Sequence, residues 1–173
     1  MKKTKILIKT KSKSYPVYFG NDILNSFGSL IKKNISNPRK ICIFVDKKLP
    51  KKLINKLSKH LKKYDLKIIK LSSGEKIKNF KFAYRLVENL LKYNLNRSDC
   101  VVAFGGGTLG DLSSFVASLI KRGVKFINVP TTLLAQVDSC IGGKTGINSH
   151  HGKNLIGTFY QPEFVLIDTS ILN

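Results

Sequence analysis

Three glycines of the sequence, Gly105, Gly107 and Gly110, have the G-x-G-x-x-G spacing that is typical of dinucleotide-binding turns. They follow the apolar run CVVAF and open a segment with helical periodicity. Bare backbone N–H groups and a helix dipole at such a point can bind a pyrophosphate. The acid that usually binds the ribose about 20 positions downstream is missing, and Asp46, at the end of an earlier apolar run, could replace it. The spacing therefore indicates a nucleotide site without identifying the protein.

Other residue groups argue against NTPase and metal chemistry. GGKT at 142–145 is similar to the end of a phosphate-binding P-loop, but Asp138 occupies the position, six residues before Lys144, where that motif needs glycine. The cysteines have no C-x-x-C spacing and the histidines lack the i, i+4 spacing of a helical metal site. These residues are Cys42, Cys100, Cys140, His60, His150 and His151. We predict no metal site among them, and we interpret Cys140 as a small filler residue.

The net charge of +21 comes almost entirely from the first hundred residues. Residues 1–100 contain 26 Lys and Arg against 6 Asp and Glu, whereas residues 101–173 contain 5 against 4. Few of these cations are arginine, the residue preferred for forked phosphate and base contacts. We interpret the lysines as a solvated surface that favours anionic small molecules, and we predict neither a nucleic-acid nor a membrane partner. The apolar run of the basic N-terminal segment, Ile6 to Ile8, is too short for a signal peptide, and the scattered cysteines are typical of a reducing compartment. We therefore predict a cytoplasmic protein.

Apolar runs of strand length alternate with segments of helical periodicity along the chain. The N-terminal segments 5–10 and 15–20 predict a β-hairpin. Further strands are predicted at 40–46, 66–71, 100–104, 125–130 and 164–168, and helices at 22–33, 53–61, 82–91 and 112–120. This alternation predicts an α/β protein with a Rossmann-like parallel sheet, flanking helices and ligands at the carboxyl ends of the strands. The stretch after Gly142 is predicted to be rich in loops until the last strand.

The continuous block from residue 105 to 173 resembles the 3-dehydroquinate synthases. The resemblance is carried by VPTTLLAQVD, GGKTG, GKNLIGTFYQP and LIDT in that order, and SYPV and SGEKIK extend it over nearly the whole chain. It implies a phosphorus-oxygen lyase of the shikimate pathway, which leads to chorismate and the aromatic amino acids. That enzyme uses NAD to convert 3-deoxy-D-arabino-heptulosonate 7-phosphate to 3-dehydroquinate and phosphate. Residues 1–173 would be its NAD-binding N-terminal domain.

The resemblance further implies that NAD lies across the glycine-rich turn. Residues 106–111 would contact its phosphates, and Asp46 and the segment 73–78 would lie near its ribose and adenine. The implied cofactor-binding residues are Asp46, Ser73, Gly74, Glu75, Lys76, Ile77, Lys78, Gly106, Gly107, Thr108, Leu109, Gly110, Asp111, Thr131, Thr132, Lys144 and Lys153. A structural role stays open for several of them, because Asp111 could cap the helix after Gly110 and the glycines could serve tight turns.

The implied catalytic residues are Lys144, Asp138, Asn154 and Arg122. The first three match the substrate and nicotinamide end of the family site, where a sugar-acid phosphate needs cations and hydrogen-bond donors. Asp138 could instead cap a short helix. Arg122 is similar to a family arginine that reaches the active site of the neighbouring subunit, which implies a homodimer.

The resemblance implies a zinc or cobalt ion only in a C-terminal helical domain, where one Glu and two His bind it. Because those ligands would lie beyond Asn173, we expect that domain to be absent here and the 173-residue chain to be inactive alone. Two alternatives stay open. One is another sugar-phosphate cyclase, of the inosose or valiolone type. The other is a noncatalytic module that binds nucleotides or nucleic acid.

Overall fold

The computed structural model describes residues 3–172, and a parallel sheet forms its centre. The strands are β1 (Lys3–Lys9), β2 (Ser14–Gly20), β3 (Lys40–Asp46), β4 (Asp65–Leu71), β5 (Cys100–Gly105), β6 (Lys125–Pro130), β7 (Ile147–Ser149), β8 (Gly152–Ile156) and β9 (Phe164–Asp168). Seven of them form one sheet in the order β1-β2-β9-β6-β5-β3-β4. Every pairing in this sheet is parallel except that of β1 with β2. The predicted α/β class with an N-terminal hairpin is confirmed.

Four α-helices cover the two faces of this sheet. They are α1 (Phe27–Asn34), α2 (Lys51–Ser58), α3 (Phe80–Lys92) and α4 (Gly107–Leu119). Short 3-10 turns cover Ile23–Ser26, Lys59–Leu61, Glu75–Ile77, Ile120–Arg122 and Thr169–Leu172, and a π-helical turn covers Ala135–Ser139. Buried residues of α1 and α2 belong to one core cluster, and those of α3 and α4 belong to another on the opposite face. The sheet is therefore doubly wound.

The central strands are mostly apolar because both of their faces are covered. In β3, Ile41, Ile43 and Val45 pack toward α1 and α2, whereas Cys42 and Phe44 pack toward α3 and α4. Strand β5 alternates in the same way and is buried throughout. Among residues 3–172, no helix is long and apolar enough to cross a bilayer.

The three cysteines are buried and have free thiols. Cys100 and Cys42 belong to the two clusters described above, and Cys140 belongs to a third cluster formed with residues of β2 and β9. Burial raises the pKa of Cys42 to about 12 and that of Cys140 to about 11, and it raises the pKa of Cys100 well above its ordinary value. Thiols with such pKa values stay protonated at neutral pH and are poor nucleophiles. The packing therefore agrees with the interpretation of Cys140 as a filler residue.

The prediction that the stretch after Gly142 is mainly loop missed a second hairpin. Strands β7 and β8 pair antiparallel, with an irregular register between Ile147 and Ser149. The strands are short and rich in polar residues, so they carry no periodicity that a sequence pattern can detect. Ile147 anchors the hairpin, since its side chain is fully buried among residues of α3 and α4.

Candidate functional site

The glycine-rich turn and three other loops meet at the carboxyl edge of the sheet. Asp46 ends β3, the segment 73–78 follows β4, Gly106 follows β5, and Thr131 and Thr132 follow β6. Since β4, β3, β5 and β6 are neighbours in that order, these loops form one continuous edge. This is the edge at which doubly wound sheets bind ligands. The structure thus brings most of the sequence-predicted cofactor residues together.

The amino end of α4 has the geometry of an anion site. Helix α4 begins at Gly107, and Gly106, its N-cap residue, lacks a side chain that could accept from the first-turn N–H groups. A Cβ on Gly106 would lie 3.3 Å from Thr132 Cγ2, and one on Gly107 would lie 2.7 Å from Ser139 Oγ. The segment after β6 therefore packs closely against the turn. Uncapped N–H groups at the start of a long helix can bind an anionic group such as a pyrophosphate.

Some of the predicted cofactor residues have buried side chains that serve the core. Ile77 is 5% exposed and Leu109 is 1% exposed, and both pack in the cluster beneath α3 and α4. Gly110 lies against the side chain of Asn128 on β6, with 3.3 Å between the position of a Cβ and Asn128 Nδ2. At these three positions, only the backbone is available to a ligand.

Lys78 and Asp111 connect the carboxyl edge of the sheet to the second hairpin, which is formed by β7 and β8. The Lys78 side chain is almost completely buried, and its ammonium donates to Asp111 Oδ2 at 2.5 Å and also to Asn154 Oδ1. Asp111 is the fifth residue of α4, which begins at Gly107. The interpretation of Asp111 as the helix cap is therefore wrong, because the helix starts one turn earlier than its position required. Its carboxylate instead balances a buried cation.

A pH dependence of stability follows from the position of Asp111. Burial raises the pKa of this carboxyl above 3.8, and Lys78 opposes that effect only in part. A raised pKa in the folded state means that the contribution to stability is present below pH 3.8 and is lost as the pH rises through the folded-state pKa. We expect the free energy of unfolding of the wild type, measured relative to Asp111→Asn, to increase as the pH falls from 7 toward 4. Urea unfolding of both proteins across this range measures the difference, and a constant difference would contradict the assignment.

A cleft of about 680 Å³ lies beside the amino end of α4. It is lined by Asp111, Asp138, Ser139, Ile141, Gly142, Lys144, Thr145, Asn154, Leu155, Gly157, Thr158 and Phe159. Three of the four predicted catalytic residues, Asp138, Lys144 and Asn154, thus line one cleft together with Asp111. Lys153 lies next to it on β8 with an exposed side chain.

The Lys144 turn is held in place from both sides. Gly142 and Gly143 have φ values of +94° and +68°, which residues other than glycine rarely adopt. The Gly142 N–H donates to the Tyr15 hydroxyl at 3.1 Å, and Gln161 Nε2 donates to the Gly142 carbonyl at 3.1 Å. Among residues 3–172, Lys144 forms no ion pair. The turn therefore presents an unneutralised cation at the cleft.

Asp138 lies within the π-helical turn, whose N-cap residue is Leu134. The carboxylate accepts no capping hydrogen bond there, so the interpretation of Asp138 as a helix cap is wrong. Asp138 is exposed, and it lines the cleft described above. A carboxylate in this position can accept hydrogen bonds from hydroxyl groups of a ligand.

One wall of the cleft is a close crossing of two chain segments. Thr145 N and Thr145 Oγ1 donate to the Thr158 carbonyl at 3.0 and 2.8 Å, and Thr158 N donates to Thr145 Oγ1 at 3.0 Å. A Cβ on Gly157 would lie 2.1 Å from the Thr145 carbonyl oxygen. The crossing therefore requires glycine at position 157.

We expect Gly157→Ala to lower the free energy of unfolding by about 2 to 3 kcal/mol, because the backbone must move to accept the methyl group. Gly142→Ala is a useful comparison, since its φ is +94° but no atom lies within 4 Å of the added Cβ. This second variant should cost only about 1 kcal/mol through its backbone conformation. Equal loss in both variants, measured by urea unfolding, would show that the crossing is not the cause.

Arg122 does not join the other three predicted catalytic residues. It follows α4 and lines a separate cleft of about 670 Å³ with Arg97 and Lys125, near the starts of β5 and β6. Lys121 and Arg122 both have left-handed backbone conformations, with φ values of 51° and 63°. Such conformations are uncommon for residues other than glycine and cost free energy that the surrounding structure must supply. Within a single copy of the chain, Arg122 is thus at the opposite edge of the sheet.

A metal site is not formed by the described residues. Between residues 3 and 172, no three His, Cys, Asp or Glu side chains are grouped so that they could hold an ion. His60, His150 and His151 are exposed, and the last two occupy the turn between β7 and β8. The side chains present do not fit a metal ion, so we assign no chemical step to one.

Sequence reasoning missed several residues that build the cleft. Ser139, Thr145 and Thr158 supply hydroxyl groups, and Leu155 and Phe159 supply exposed apolar surface. It also missed Asn148, which connects the two sides of the site. All of these lie in the block that resembles the synthases, but their types alone carry no signal of a ligand.

The fold and the edge described above define a doubly wound α/β protein with a glycine-rich turn at its ligand-binding edge. Residues 68–173 match the family model described as 3-dehydroquinate synthase N-terminal. The chain therefore belongs to the 3-dehydroquinate synthase family.

Individual relatives agree with this assignment. The chain is 46% identical over 169 residues to a 3-dehydroquinate synthase of Pelagibacter ubique, a match that covers 98% of this chain and 46% of the relative. A 2-deoxy-scyllo-inosose synthase solved with carbaglucose-6-phosphate, NAD+ and Co2+ superposes with a TM-score of 0.88 at 30% identity, covering 98% of this chain and 47% of that one. A 2-epi-5-epi-valiolone synthase of Streptomyces hygroscopicus, solved with NAD+ and Zn2+, superposes with a TM-score of 0.78 at 26% identity, covering 96% of this chain and 46% of that one. The chain spans about half the length of the relatives it matches.

Proposed function

We propose that this chain is the NAD-binding part of a 3-dehydroquinate synthase. The reaction would convert 3-deoxy-D-arabino-heptulosonate 7-phosphate to 3-dehydroquinate and phosphate, a step of the shikimate pathway. The observation that carries the proposal is the grouping of Asp111, Asp138, Lys144 and Asn154 around one cleft beside the amino end of α4. The relatives named as synthases support the choice of reaction.

The cofactor would lie along the carboxyl edge of the sheet. The first-turn N–H groups of α4 would bind its pyrophosphate, and Asp46 could accept from ribose hydroxyl groups. Asp46 Oδ1 already accepts from Lys48 N at 2.9 Å, which fixes the carboxylate at the end of β3. When bound, NAD would accept a hydride from a substrate hydroxyl and return it later in the cycle. The 2-deoxy-scyllo-inosose synthase solved with NAD+ supports this choice of cofactor.

The residues of the cleft would bind and orient the sugar-acid phosphate. Lys144 would form a charge-assisted hydrogen bond with an anionic group of the substrate. Asp138 would accept from a hydroxyl group, and the Asn154 side chain would contribute a further polar contact. Lys153 is exposed next to the cleft, and its side chain would contact the bound NAD. The apolar side chains of Leu155 and Phe159 would help to exclude water once the cleft is filled.

A homodimer is also part of the proposal. Arg122 has a strained backbone and lines a different cleft from Asp138, Lys144 and Asn154, which supports a role at the site of a neighbouring subunit. A cytoplasmic location agrees with three buried free thiols, because reducing compartments preserve them.

Phosphate release by the full-length protein tests the proposed reaction. With NAD+ and a divalent zinc or cobalt salt present, we expect phosphate to be released from 3-deoxy-D-arabino-heptulosonate 7-phosphate. We expect no release from the substrates of inosose and valiolone synthases. Preferred turnover of one of those sugar phosphates would favour another cyclase of the superfamily. Salt-sensitive binding of DNA or RNA without NAD+ affinity would instead favour a noncatalytic module.

A further inference from the structure

Asn148 makes three hydrogen bonds that connect separate parts of the site. Its backbone N–H donates to the Lys78 carbonyl at 2.8 Å, and its Nδ2 donates to Glu75 Oε1 at 2.7 Å. Its Oδ1 accepts from the backbone N–H of Asn154 at 3.0 Å. One amide side chain on β7 thus contacts the cofactor segment 73–78 on one side and β8 on the other.

The contact with Asn154 holds an unusual backbone. Asn154 has a φ of +59°, a left-handed conformation that asparagine tolerates better than most residues but that still needs local support. In this conformation its side-chain oxygen accepts from the ammonium of Lys78. The same Lys78 binds Asp111, so the chain of contacts runs from Glu75 through Asn148, Asn154 and Lys78 to α4.

The second hairpin is fixed to the core at one end and to this network at the other. Ile147, next to Asn148, is fully buried beneath α3 and α4. Asn79 and Asn148 also form a parallel bridge, so the backbone of β7 lies directly against the segment that follows Lys78. The contacts of Asn148 therefore fix the position of the second hairpin relative to the carboxyl edge of the sheet.

We infer that Asn148 is a positioning residue that fixes the spacing between the NAD-binding segment 73–78 and the substrate-binding residue Asn154. It would act through Glu75, Lys78 and Asn154 and would not touch the reacting atoms. This inference rests on the proposed function, because it takes Glu75 and Asn154 as the cofactor and substrate sides of one site.

The hydrogen-bond pattern allows a donor and an acceptor to be exchanged. Asn148→Asp keeps an oxygen for the Asn154 N–H but places a carboxylate against Glu75, where the lost donor and the like charge are both unfavourable. Glu75→Gln supplies an amide that can donate to the new carboxylate. The double variant thus rebuilds the contact with its roles reversed and keeps the net charge of the wild type.

The test is calorimetric titration of NAD+ into the wild type, Asn148→Asp, Glu75→Gln and the double variant. We expect Asn148→Asp to weaken NAD+ binding about 10-fold, as expected for loss of a hydrogen bond to a charged group. The double variant should return to within about 3-fold of Glu75→Gln alone, since interacting pairs are not additive. His150→Ala, in the exposed turn of the same hairpin, should bind NAD+ like the wild type. In the full-length protein, Asn148→Asp should also raise the KM for the sugar-acid phosphate, and the double variant should restore it.

The outcomes separate this inference from the proposed function. If the wild type binds no NAD+, the proposed function fails. If the wild type binds NAD+ and Asn148→Asp binds it equally well, or if the double variant shows no recovery, the positioning role is overturned. If Asn148→Asp does not fold, recovery of folding and of NAD+ binding in the double variant still supports the exchange, and an unfolded double variant contradicts it.

Discussion

Lys144→Ala in the full-length protein is expected to reduce kcat/KM for phosphate release by about 100- to 1,000-fold, the usual effect of removing one preorganised donor from developing charge. The reason is geometric. Two glycines with positive φ, the Tyr15 hydroxyl and the Gln161 amide hold the turn that carries this lysine, and no described acidic side chain neutralises it. A cation that needs no reorganisation before it binds an anionic substrate contributes strongly in a cleft that excludes water.

Steady-state kinetics of phosphate release measure this effect, and Lys33→Ala is the matched control. Lys33 is an exposed lysine on α1, which packs on the opposite face of the sheet from α4. The control should retain wild-type kcat/KM. A loss below about 5-fold in Lys144→Ala would be no more than a surface charge contributes and would remove Lys144 from the substrate site.

Gly106→Asp is expected to weaken NAD+ binding by more than about 100-fold, which corresponds to about 2.7 kcal/mol. Gly106 has the extended backbone of an N-cap residue, with φ −76° and ψ −179°, and aspartate is well accepted at that position. Its carboxylate would bind the first-turn N–H groups and occupy the place of the pyrophosphate. The same substitution should change the free energy of unfolding by no more than about 1 kcal/mol, because Gly and Asp differ little as caps. The Thr132 side chain, 3.3 Å from the position of the added Cβ, needs only a small shift.

The combination of lost affinity and retained stability distinguishes this prediction from simple damage to the fold. Calorimetry gives the affinity and urea unfolding gives the stability. Ser26→Asp introduces the same charge at the start of α1, which packs on the opposite face of the sheet from α4, and should bind NAD+ normally. If Gly106→Asp binds NAD+ like the wild type, the pyrophosphate is not at the amino end of α4.

Much of the sheet could be predicted from the sequence because its central strands are buried on both faces. A strand such as β5 needs apolar residues at every position, so it appears as a continuous run that no surface element imitates. The glycine-rich turn could be predicted for a related reason. The close approach of Ser139 to Gly107 leaves no room for a side chain at that position, and the sequence retains that restriction as a glycine of the G-x-G-x-x-G spacing.

The polar framework of the site could not be predicted in the same way. Lys78, Asp111 and Asn154 lie far apart in the sequence, and each belongs to a residue type that usually remains at the surface. Asp168 is similar, since its buried carboxylate accepts from the backbone N–H groups of Asp22 and Leu24 near the other end of the chain. Such contacts become visible only when the strands have their neighbours.

The location of Arg122 follows from the direction of the helix that precedes it, but its backbone conformation could not be predicted. The apolar residues around it predict a continuous helix through position 120, but α4 ends at Leu119 and the chain turns through two left-handed residues. Helix α4 begins at the carboxyl end of β5 and runs back toward the start of β6, so its end already places Arg122 at the opposite edge of the sheet. The alternation of strands and helices gives the end of the sheet at which a residue lies. The left-handed turn at Lys121 and Arg122 leaves no such signal, because neither residue is glycine.

The most direct test of NAD+ binding at the carboxyl edge of the sheet is an NMR titration of the 15N-labelled chain with NAD+. We expect the amide shifts to change most at Gly106 to Asp111, at Glu75 to Lys78 and at Thr131 and Thr132, which together form the carboxyl edge of the sheet. Residues of the opposite edge, around Arg97 and Arg122, should change little. Shifts confined to that opposite edge, or no shifts at millimolar NAD+, would contradict the assignment of this chain as the NAD-binding part of a synthase.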